Sequence, residues 1–230
     1  MTVVQPTPSA VTSPDRTSAT TAAGISWLQY ARHRSAFRSR WPSIWDMKII
    51  TSFFDDAAVH VGHIESALDV GATDRVWEPT IRRLWPGVDY RSLDIDHTNV
   101  HDYYGFAEVG GQYDLVTCFE VLEHVEAKVC LELLEGCVDA CRPGGYVLVS
   151  VPNIFTPGAQ LEFTHQTAFN QLDLVGLLTW VGLKVIDASR VFFGSARRRL
   201  AHQYLLAPLH RAMNVDFCRS VVALARKPEA

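Results

Sequence analysis

Two glutamates and two histidines have the side chains and the spacing for proton or metal chemistry. Glu120, Glu123 and His124 are spaced i, i+3 and i+4, so they would share one face of a helix that began at Glu120. His165 follows in a loop sequence between a predicted strand and a predicted helix. Such side chains can accept a proton from a hydroxyl group or bind Mg²⁺, Mn²⁺ or Zn²⁺. Carboxylates in a first helical turn also stabilise the helix dipole, so a purely structural role stays open.

A second group of residues has the pattern of a nucleotide-binding crevice. The residues before Asp69 predict a short buried strand, and Gly71 lets the backbone turn sharply and approach a ligand. Residues 88–93 predict the next strand, which ends in Asp94-Ile95-Asp96. Strand, glycine turn, helix, strand and acid is the layout of a nucleotide-binding βαβ unit, in which the second acid accepts hydrogen bonds from ribose hydroxyls.

Further strands and helices must position these residues. Two more buried strands are predicted at 113–119 and 146–151, with an amphipathic helix reaching about Ala140 between them and a tight turn at 142–145. A leucine-rich helix is predicted at 167–181 and another helix within 191–213. The alternating pattern of 217–226 predicts a final strand at or near an edge of the sheet.

The composition excludes several classes of function. A chain of 230 residues with 48% hydrophobic content is long enough for one sizeable domain. The net charge of −4 gives no support to a nucleic-acid or anionic-membrane partner, and no apolar run is long enough to span a bilayer. No secretory signal is visible, and the five cysteines show no C-x-x-C spacing. We therefore expect reduced thiols and a cytoplasmic protein.

The amino-terminal quarter divides into two parts. Residues 1–24 are rich in Thr, Ser, Pro and Ala, which predicts a disordered tail. Residues 25–58 predict a helical lid or cap, with one helix from Ile25 to about Trp41 and a second, capped by Ser43, from Ile44 to about Ala58. These helices could cover a ligand site or simply pack on the sheet.

The order of four motifs resembles the class I S-adenosylmethionine-dependent methyltransferases. The motifs are Leu-Asp-Val-Gly, Leu-Asp-Ile-Asp, Tyr-Asp-Leu-Val-Thr-Cys-Phe-Glu-Val-Leu-Glu-His-Val and Arg-Pro-Gly-Gly-Tyr, and the match extends over roughly residues 60–226. The resemblance implies an α/β, Rossmann-like domain over residues 59–230. It further implies a seven-stranded, mostly parallel sheet, the last strand antiparallel, with helices on both faces.

The resemblance also assigns roles by position. The cofactor would be S-adenosyl-L-methionine, with Asp69 and Gly71 facing its methionine part, Asp94 holding the ribose hydroxyls, and Asp102 near the adenine. Phe119 and Glu120 would line the wall between cofactor and acceptor. The cofactor-binding residues implied are Asp69, Gly71, Ala72, Thr73, Asp94, Ile95, Asp102, Phe119 and Glu120. The catalytic candidates are His165, His124 and Glu120.

The expected reaction is methyl transfer to an O- or N-nucleophile of a small-molecule acceptor. No metal, nucleic acid or membrane is expected to take part, and the oligomeric state stays open. Glu-Val-Leu-Glu-His with His165 is also similar to the metal-assisted small-RNA 2′-O-methyltransferases and some quinone-biosynthesis O-methyltransferases, which keeps a metal site open.

Two other functions remain as alternatives. Thr73 and Arg75 replace glycines of the usual loop, which favours a catalytically degenerate binding or scaffold protein. A nicotinamide-dependent oxidoreductase is less favoured, because Asp69 precedes the glycine turn and no complete G-x-G-x-x-G follows.

Overall fold

The structure of the protein is a computed structural model that describes residues 26–159 and 162–229. The predicted disordered tail at 1–24 lies outside the described residues. The strands, in chain order, are β1 (Ile49–Ile50), β2 (Ser66–Val70), β3 (Asp89–Leu93), β4 (Tyr113–Phe119), β5 (Cys141–Pro152), β6 (Lys184–Val191) and β7 (Ser220–Arg226). The α-helices are α1 (Trp27–Ser35), α2 (Asp55–His60), α3 (Glu78–Leu84), α4 (Ala127–Ala140), α5 (Gln171–Trp180), α6 (Ala196–Leu200) and α7 (Ala207–Ala212).

Seven strands of the described chain form one sheet in the order β1-β6-β7-β5-β4-β2-β3. β7 runs antiparallel to both of its neighbours, β5 and β6, and the other neighbouring strands pair in parallel. Core side chains of α1, α4 and α5 pack on one face of the sheet, and those of α2 and α3 pack on the other. The predicted fold class is therefore confirmed, including the antiparallel last strand.

The central strand and two helices follow from local sequence. All seven residues of β4 are buried, as expected for a parallel strand covered on both faces. α3 begins at Glu78 with Pro79 in its first turn, where a missing N–H costs nothing. α5 begins with a capping box, in which Asn170 accepts from the N–H of Asp173 and the Asp173 carboxylate accepts from that of Asn170.

The predicted helix from Ile44 to Ala58 is wrong. The segment instead contains a single 3₁₀ turn at Ile44–Asp46, the edge strand β1 and only the first residues of α2. The carboxylate of Asp55 accepts hydrogen bonds from the backbone N–H groups of Thr51 and Ser52, which ends the strand and delays the start of the helix. The first predicted helix is present but shorter, and α1 packs against α5 through a 2.9 Å hydrogen bond from the Tyr30 hydroxyl to Asp173.

Three other local predictions are corrected. β7 lies between β5 and β6 rather than at an edge, and it is buried along most of its length. The predicted turn at residues 142–145 is a bulge inside β5, where the register with β4 shifts between the Tyr113 and Leu115 pairs. α4 begins at Ala127, and a 3₁₀ turn at Leu122–His124 stands where a helix beginning at Glu120 was considered.

Candidate active site

Three parallel strands end at one edge of the sheet and carry the candidate residues there. Val70 of β2 pairs with Leu93 of β3 and with Cys118 of β4, so the residues that follow these strands are neighbours. In this way the turn at Gly71, the carboxylate of Asp94 and the side chain of Glu120 share the carboxyl edge. Open α/β sheets bind their ligands at this edge.

Asp69 is buried near the carboxyl end of β2, and each of its carboxylate oxygens accepts a hydrogen bond. The Tyr90 hydroxyl donates to one oxygen at 2.9 Å, and the Thr117 hydroxyl donates to the other at 2.7 Å. Burial raises the pKa of Asp69 to about 6, which the two hydrogen bonds partly offset. The carboxyl group therefore braces β2 against its two neighbours below the turn, and its partners on those strands were not identified from the sequence.

The turn after β2 uses the left-handed backbone region three times. Gly71 has φ +71°, Thr73 +47° and Arg75 +60°. A Cβ on Gly71 would lie 2.2 Å from a methyl carbon of Val121, so the backbone approaches that residue too closely for any side chain. Thr73 and Arg75 thus adopt the backbone conformation that glycine adopts most easily, at some cost in strain. The loop keeps its shape without the additional glycines.

Asp94 ties this loop to the end of β3. Its Oδ2 accepts a 2.8 Å hydrogen bond from the N–H of Thr73, and its Oδ1 accepts one of 2.9 Å from the N–H of Asp96. Each oxygen keeps a second lone pair that can accept from a ligand hydroxyl. Ile95, the next residue, is 79% exposed and offers an apolar surface beside this carboxylate. Ala72 is buried, and its N–H points to the carbonyl of Leu93 at 3.3 Å.

Asp102 is held in a network on the outer side of β3. Its carboxylate accepts from the N–H and hydroxyl of Ser92 at 2.9 and 3.0 Å and from Arg91 at 3.1 Å. Arg75 lies 3.5 Å from the same carboxylate and stacks over the ring of Tyr90. Asp102 therefore anchors Arg75, and through it the loop after β2, a role that the sequence did not indicate.

Phe119 lies in a cluster of aromatic rings at the end of β4. It stacks on Phe53 with ring centroids 4.8 Å apart and contacts Phe54 and Trp77 edge-on. Phe53 also contacts the half-exposed ring of Phe193, which follows β6. The cluster forms an apolar wall beside the carboxyl edge.

Glu120 follows with φ +54°, a backbone conformation that non-glycine residues seldom adopt. Its Oε1 accepts a 2.6 Å hydrogen bond from the hydroxyl of Ser150, and its Oε2 accepts one of 3.3 Å from Ser220. Burial raises the pKa of Glu120 to about 7. Strained backbone at a strand end together with a raised pKa is typical of functional positions.

Glu123, His124 and His165 come together, whereas Glu120 points elsewhere. One ligand atom from each of the three lies within 4.8 Å of the others. Glu123 is buried with neither carboxylate oxygen hydrogen-bonded, and burial raises its pKa to about 8. It lines a cavity of about 150 Å³ together with His165. The trio therefore contains a buried acid that is largely protonated at neutral pH, beside two imidazoles.

The ring of His165 has a defined tautomer. Its Nδ1 lies 2.9 Å from the carbonyl oxygen of Ala159, which can only accept, so Nδ1 carries the proton. The free lone pair is then on Nε2, 3.5 Å from a carboxylate oxygen of Glu162. An imidazole fixed in this way can accept a proton at Nε2.

A model of the family described as "Methyltransferase domain" matches residues 64–188. A probable S-adenosylmethionine-dependent methyltransferase of Mycolicibacterium smegmatis is 30% identical over 124 residues, which cover 52% of this chain and 44% of that protein. A ubiquinone biosynthesis O-methyltransferase of Shewanella pealeana is 49% identical over 106 residues, or 39% of this chain and 44% of that protein. The chain thus spans less than half the length of these relatives.

Solved structures show the same fold at low identity. A SAM-dependent methyltransferase from Archaeoglobus fulgidus superimposes with a TM-score of 0.55 at 12% identity, covering 86% of this chain and 94% of that one. The 1,6-didemethyltoxoflavin-N1-methyltransferase of Burkholderia thailandensis, solved with 1,6-didemethyltoxoflavin and S-adenosylhomocysteine, gives 0.53 at 17% identity over 89% and 92%.

Proposed function

We propose that this chain, which belongs to the methyltransferase domain family, binds S-adenosylmethionine and transfers its methyl group to an oxygen or nitrogen of a small-molecule acceptor. The resemblance to the class I S-adenosylmethionine-dependent methyltransferases agrees with the family match over residues 64–188. The main support for the proposal is that Asp94 is hydrogen-bonded to the turn at Gly71, because the N–H of Thr73 donates to its carboxylate at 2.8 Å. Both parts lie within the matched residues.

The residues at the carboxyl edge fit this cofactor. Asp94 has a free lone pair on each oxygen for two ribose hydroxyls, and exposed Ile95 can cover one face of the adenine. The methionine part would lie along the backbone of the turn at Gly71, Ala72 and Thr73, which Val121 packs against on its other side. Asp102 would support this site through Arg75 and the loop. When bound, the sulfonium supplies an activated methyl group.

The chain's own residues align the acceptor and take up its proton. The aromatic wall at Phe119 excludes water beside the reacting groups, which favours a displacement between aligned partners. For a hydroxyl acceptor, Nε2 of His165 accepts the proton, and His124 lies beside it with ring centroids 4.9 Å apart. Glu120, hydrogen-bonded to two serines, fixes the wall between cofactor and acceptor and can hold a proton near neutral pH.

A divalent cation is a second route to the acceptor's proton. It is favoured by the two carboxylate oxygens of Glu123 without hydrogen bonds and by the nearby nitrogens of His124 and His165. Calorimetric titration of the cofactor-loaded protein with Mg²⁺ and with Mn²⁺ distinguishes the two routes. Heat of binding that His124→Ala abolishes supports the cation, and no heat leaves His165 as the base.

Calorimetric titration with S-adenosylmethionine and S-adenosylhomocysteine tests the cofactor directly. Asp94→Asn keeps an acceptor for the N–H of Thr73 but removes the charge that draws ribose hydroxyls, so we expect affinity to fall about tenfold. Asp89→Asn, at the opposite end of the same strand, is the matched control and leaves affinity unchanged. Absence of binding by the unaltered protein refutes the enzyme assignment.

Two further assays separate the alternatives. Binding without transfer of tritium from labelled cofactor to any acceptor would favour the degenerate binding protein, whereas oxidation of NADH would favour the oxidoreductase.

The unbridged, buried cysteines support a reducing location, and we propose the cytoplasm. None of the helices in residues 26–159 and 162–229 is long and apolar enough to cross a membrane.

A further inference from the structure

The connection from β6 to β7 is basic and contains no acid over a long stretch. Between Asp187 and Asp216 the sequence has no Asp or Glu but carries Arg197-Arg198-Arg199 and Arg211, although the whole chain has a net charge of −4. Within the described residues, no carboxylate lies within salt-bridge distance of the three consecutive arginines. Residues 196–212 form α6, a π-helical turn at Ala201–Leu205 and α7. We call residues 196–213 the basic segment.

The basic segment places its large apolar side chains in solvent. Leu200, Tyr204, Leu205, Leu209 and Met213 are each between 51% and 76% exposed. They recur at four-residue spacing in 200–204 and again in 205–209–213, within one short stretch of chain. We call these five exposed side chains the apolar face of the basic segment. A soluble protein seldom presents such a set of neighbouring apolar side chains without a partner.

The same segment turns its polar histidines inward. His202 and His210 are buried, with their Nδ1 atoms 2.9 Å apart, and Nε2 of His202 lies 2.8 Å from a carboxylate oxygen of Asp216. Arg190 binds the same carboxylate oxygen at 3.1 Å. This buried polar network fixes the orientation of the segment. Its apolar face therefore points outward as a consequence of specific hydrogen bonds.

Both ends of the segment are attached at the edge of the sheet that carries the candidate active site. Before it, Phe193 contacts Phe53, which stacks on Phe119. After it, Ser220 donates to Glu120. The exposed apolar face thus lies on the connection that borders the acceptor side of the site.

We propose that the basic segment docks this edge of the protein on an anionic lipid bilayer. Exposed leucine, tyrosine and methionine side chains would enter the interface, while the arginines would contact lipid phosphates, as in interfacial helices with a basic polar face. A second copy of this chain fits poorly, because its own arginine row would be repelled. The net charge of −4 of the whole chain predicts no anionic-membrane partner. The basic segment, however, is locally positive and can attract anionic lipids. If the proposed methyl transfer holds, the acceptor is lipid-soluble.

Co-sedimentation of the full chain with lipid vesicles tests the docking. Vesicles of phosphatidylcholine with phosphatidylglycerol should retain the protein, and vesicles of phosphatidylcholine alone should retain much less. Arg197→Gln with Arg198→Gln should weaken binding about fivefold for each arginine removed. Leu205→Gln with Leu209→Gln should weaken it by about tenfold or more. The matched controls are Arg83→Gln and Val59→Gln, which alter an exposed arginine and an exposed valine elsewhere and should bind as the unaltered protein does.

Three outcomes would overturn the proposal. The first is equal sedimentation with and without the anionic lipid. The second is a dimer in analytical ultracentrifugation that Leu205→Gln dissociates, which would assign the face to a second copy of the chain. The third is binding of polyglutamate, but not of vesicles, that depends on Arg197 and Arg198, which would indicate an acidic protein partner. The measurement contains neither cofactor nor acceptor, so its failure would leave the proposed methyl transfer untouched.

Discussion

Carboxylates with similar sequence contexts perform different tasks in this protein. Asp69 lies one residue before the end of β2 and Asp94 directly follows β3. Yet Asp69 accepts from the hydroxyls of Tyr90 and Thr117, whereas Asp94 accepts from the backbone N–H groups of Thr73 and Asp96. Glu123, further along, has no hydrogen-bond partner for its oxygens. The difference is one of burial and of partners from distant strands. It determines which group can accept from a ligand and which stays protonated.

At the scale of single residues, His165→Ala should lower turnover on a hydroxyl acceptor about a hundredfold, because the variant lacks the proposed base at Nε2. The dissociation constant for S-adenosylmethionine should stay within about twofold, since the contacts of His165 are with Ala159, Glu162 and His124 and not with the turn at Gly71 or with Asp94. Steady-state kinetics and calorimetry together measure both quantities. Glu162→Gln, which alters only the exposed neighbour of His165, should reduce turnover far less. Unchanged turnover in His165→Ala would reject the base.

At the scale of elements, the loop after β2 depends on close packing against the segment after β4. Gly71 approaches Val121, Asp94 binds the N–H of Thr73, and Asp102 anchors Arg75. The strained residues Thr73 and Arg75 are therefore held by contacts with neighbouring strands rather than by their own preferences. These contacts explain how a loop with few glycines can keep the shape of a glycine-rich one.

Gly71→Ala should destabilise the protein by about 3 kcal/mol, because the new methyl group collides with Val121 and alanine is strained at this φ. Adding Val121→Ala makes room for the methyl group. The double variant should therefore be more stable than the sum of the two single losses implies. Urea unfolding of the three variants measures the coupling. A Gly71→Ala protein as stable as the original would show that Gly71 does not pack closely against Val121.

At the scale of the whole molecule, the sequence predicts those strands whose own residues form a clear local pattern. Buried runs ending in Asp69, Asp94 and Glu120 predicted three strands and their common edge, because parallel strands covered on both faces are continuously apolar. β1 has only two residues, too few for a strand pattern, so the sequence places Ile49–Ile50 within a predicted helix. The position of β7 between two strands depends on pairing across the chain.

The hydrogen-bond partners of the site residues could not be predicted from local sequence patterns either. Ser150 and Ser220 reach Glu120 from 30 and 100 residues away in sequence. The contact between Arg75 and Asp102 likewise joins a loop to the far side of a strand. Such contacts follow from strand order and register, which the sequence pattern does not contain. They nevertheless set the pKa values and the loop geometry of the site.

The stability of the whole molecule should decrease with rising pH because of its buried acids. Burial raises the pKa of Glu120 to about 7 and of Glu123 to about 8, against about 4.3 for a glutamate in an unfolded chain. Their contribution is therefore fully present below about pH 4 and is lost as the pH rises through 7 and 8. Glu123→Gln should remove part of this loss, leaving the variant about 2 kcal/mol more stable at alkaline pH, or roughly 4–8 °C in Tm.

Thermal unfolding of the original protein and of Glu123→Gln between about pH 5 and 9 measures this effect. The two Tm values should be closest near pH 5, move apart as the pH rises towards about 8, and keep a constant difference above that. Burial lowers the pKa of His202, so this residue makes the folded protein more stable as the pH rises. Both proteins contain His202, so its contribution cancels in the difference between their Tm values. Glu132→Gln changes an exposed carboxylate of α4 that does not contribute to the raised pKa of Glu123, and it should follow the original protein throughout. Parallel curves for the original and Glu123→Gln would show that folding does not raise the pKa of Glu123.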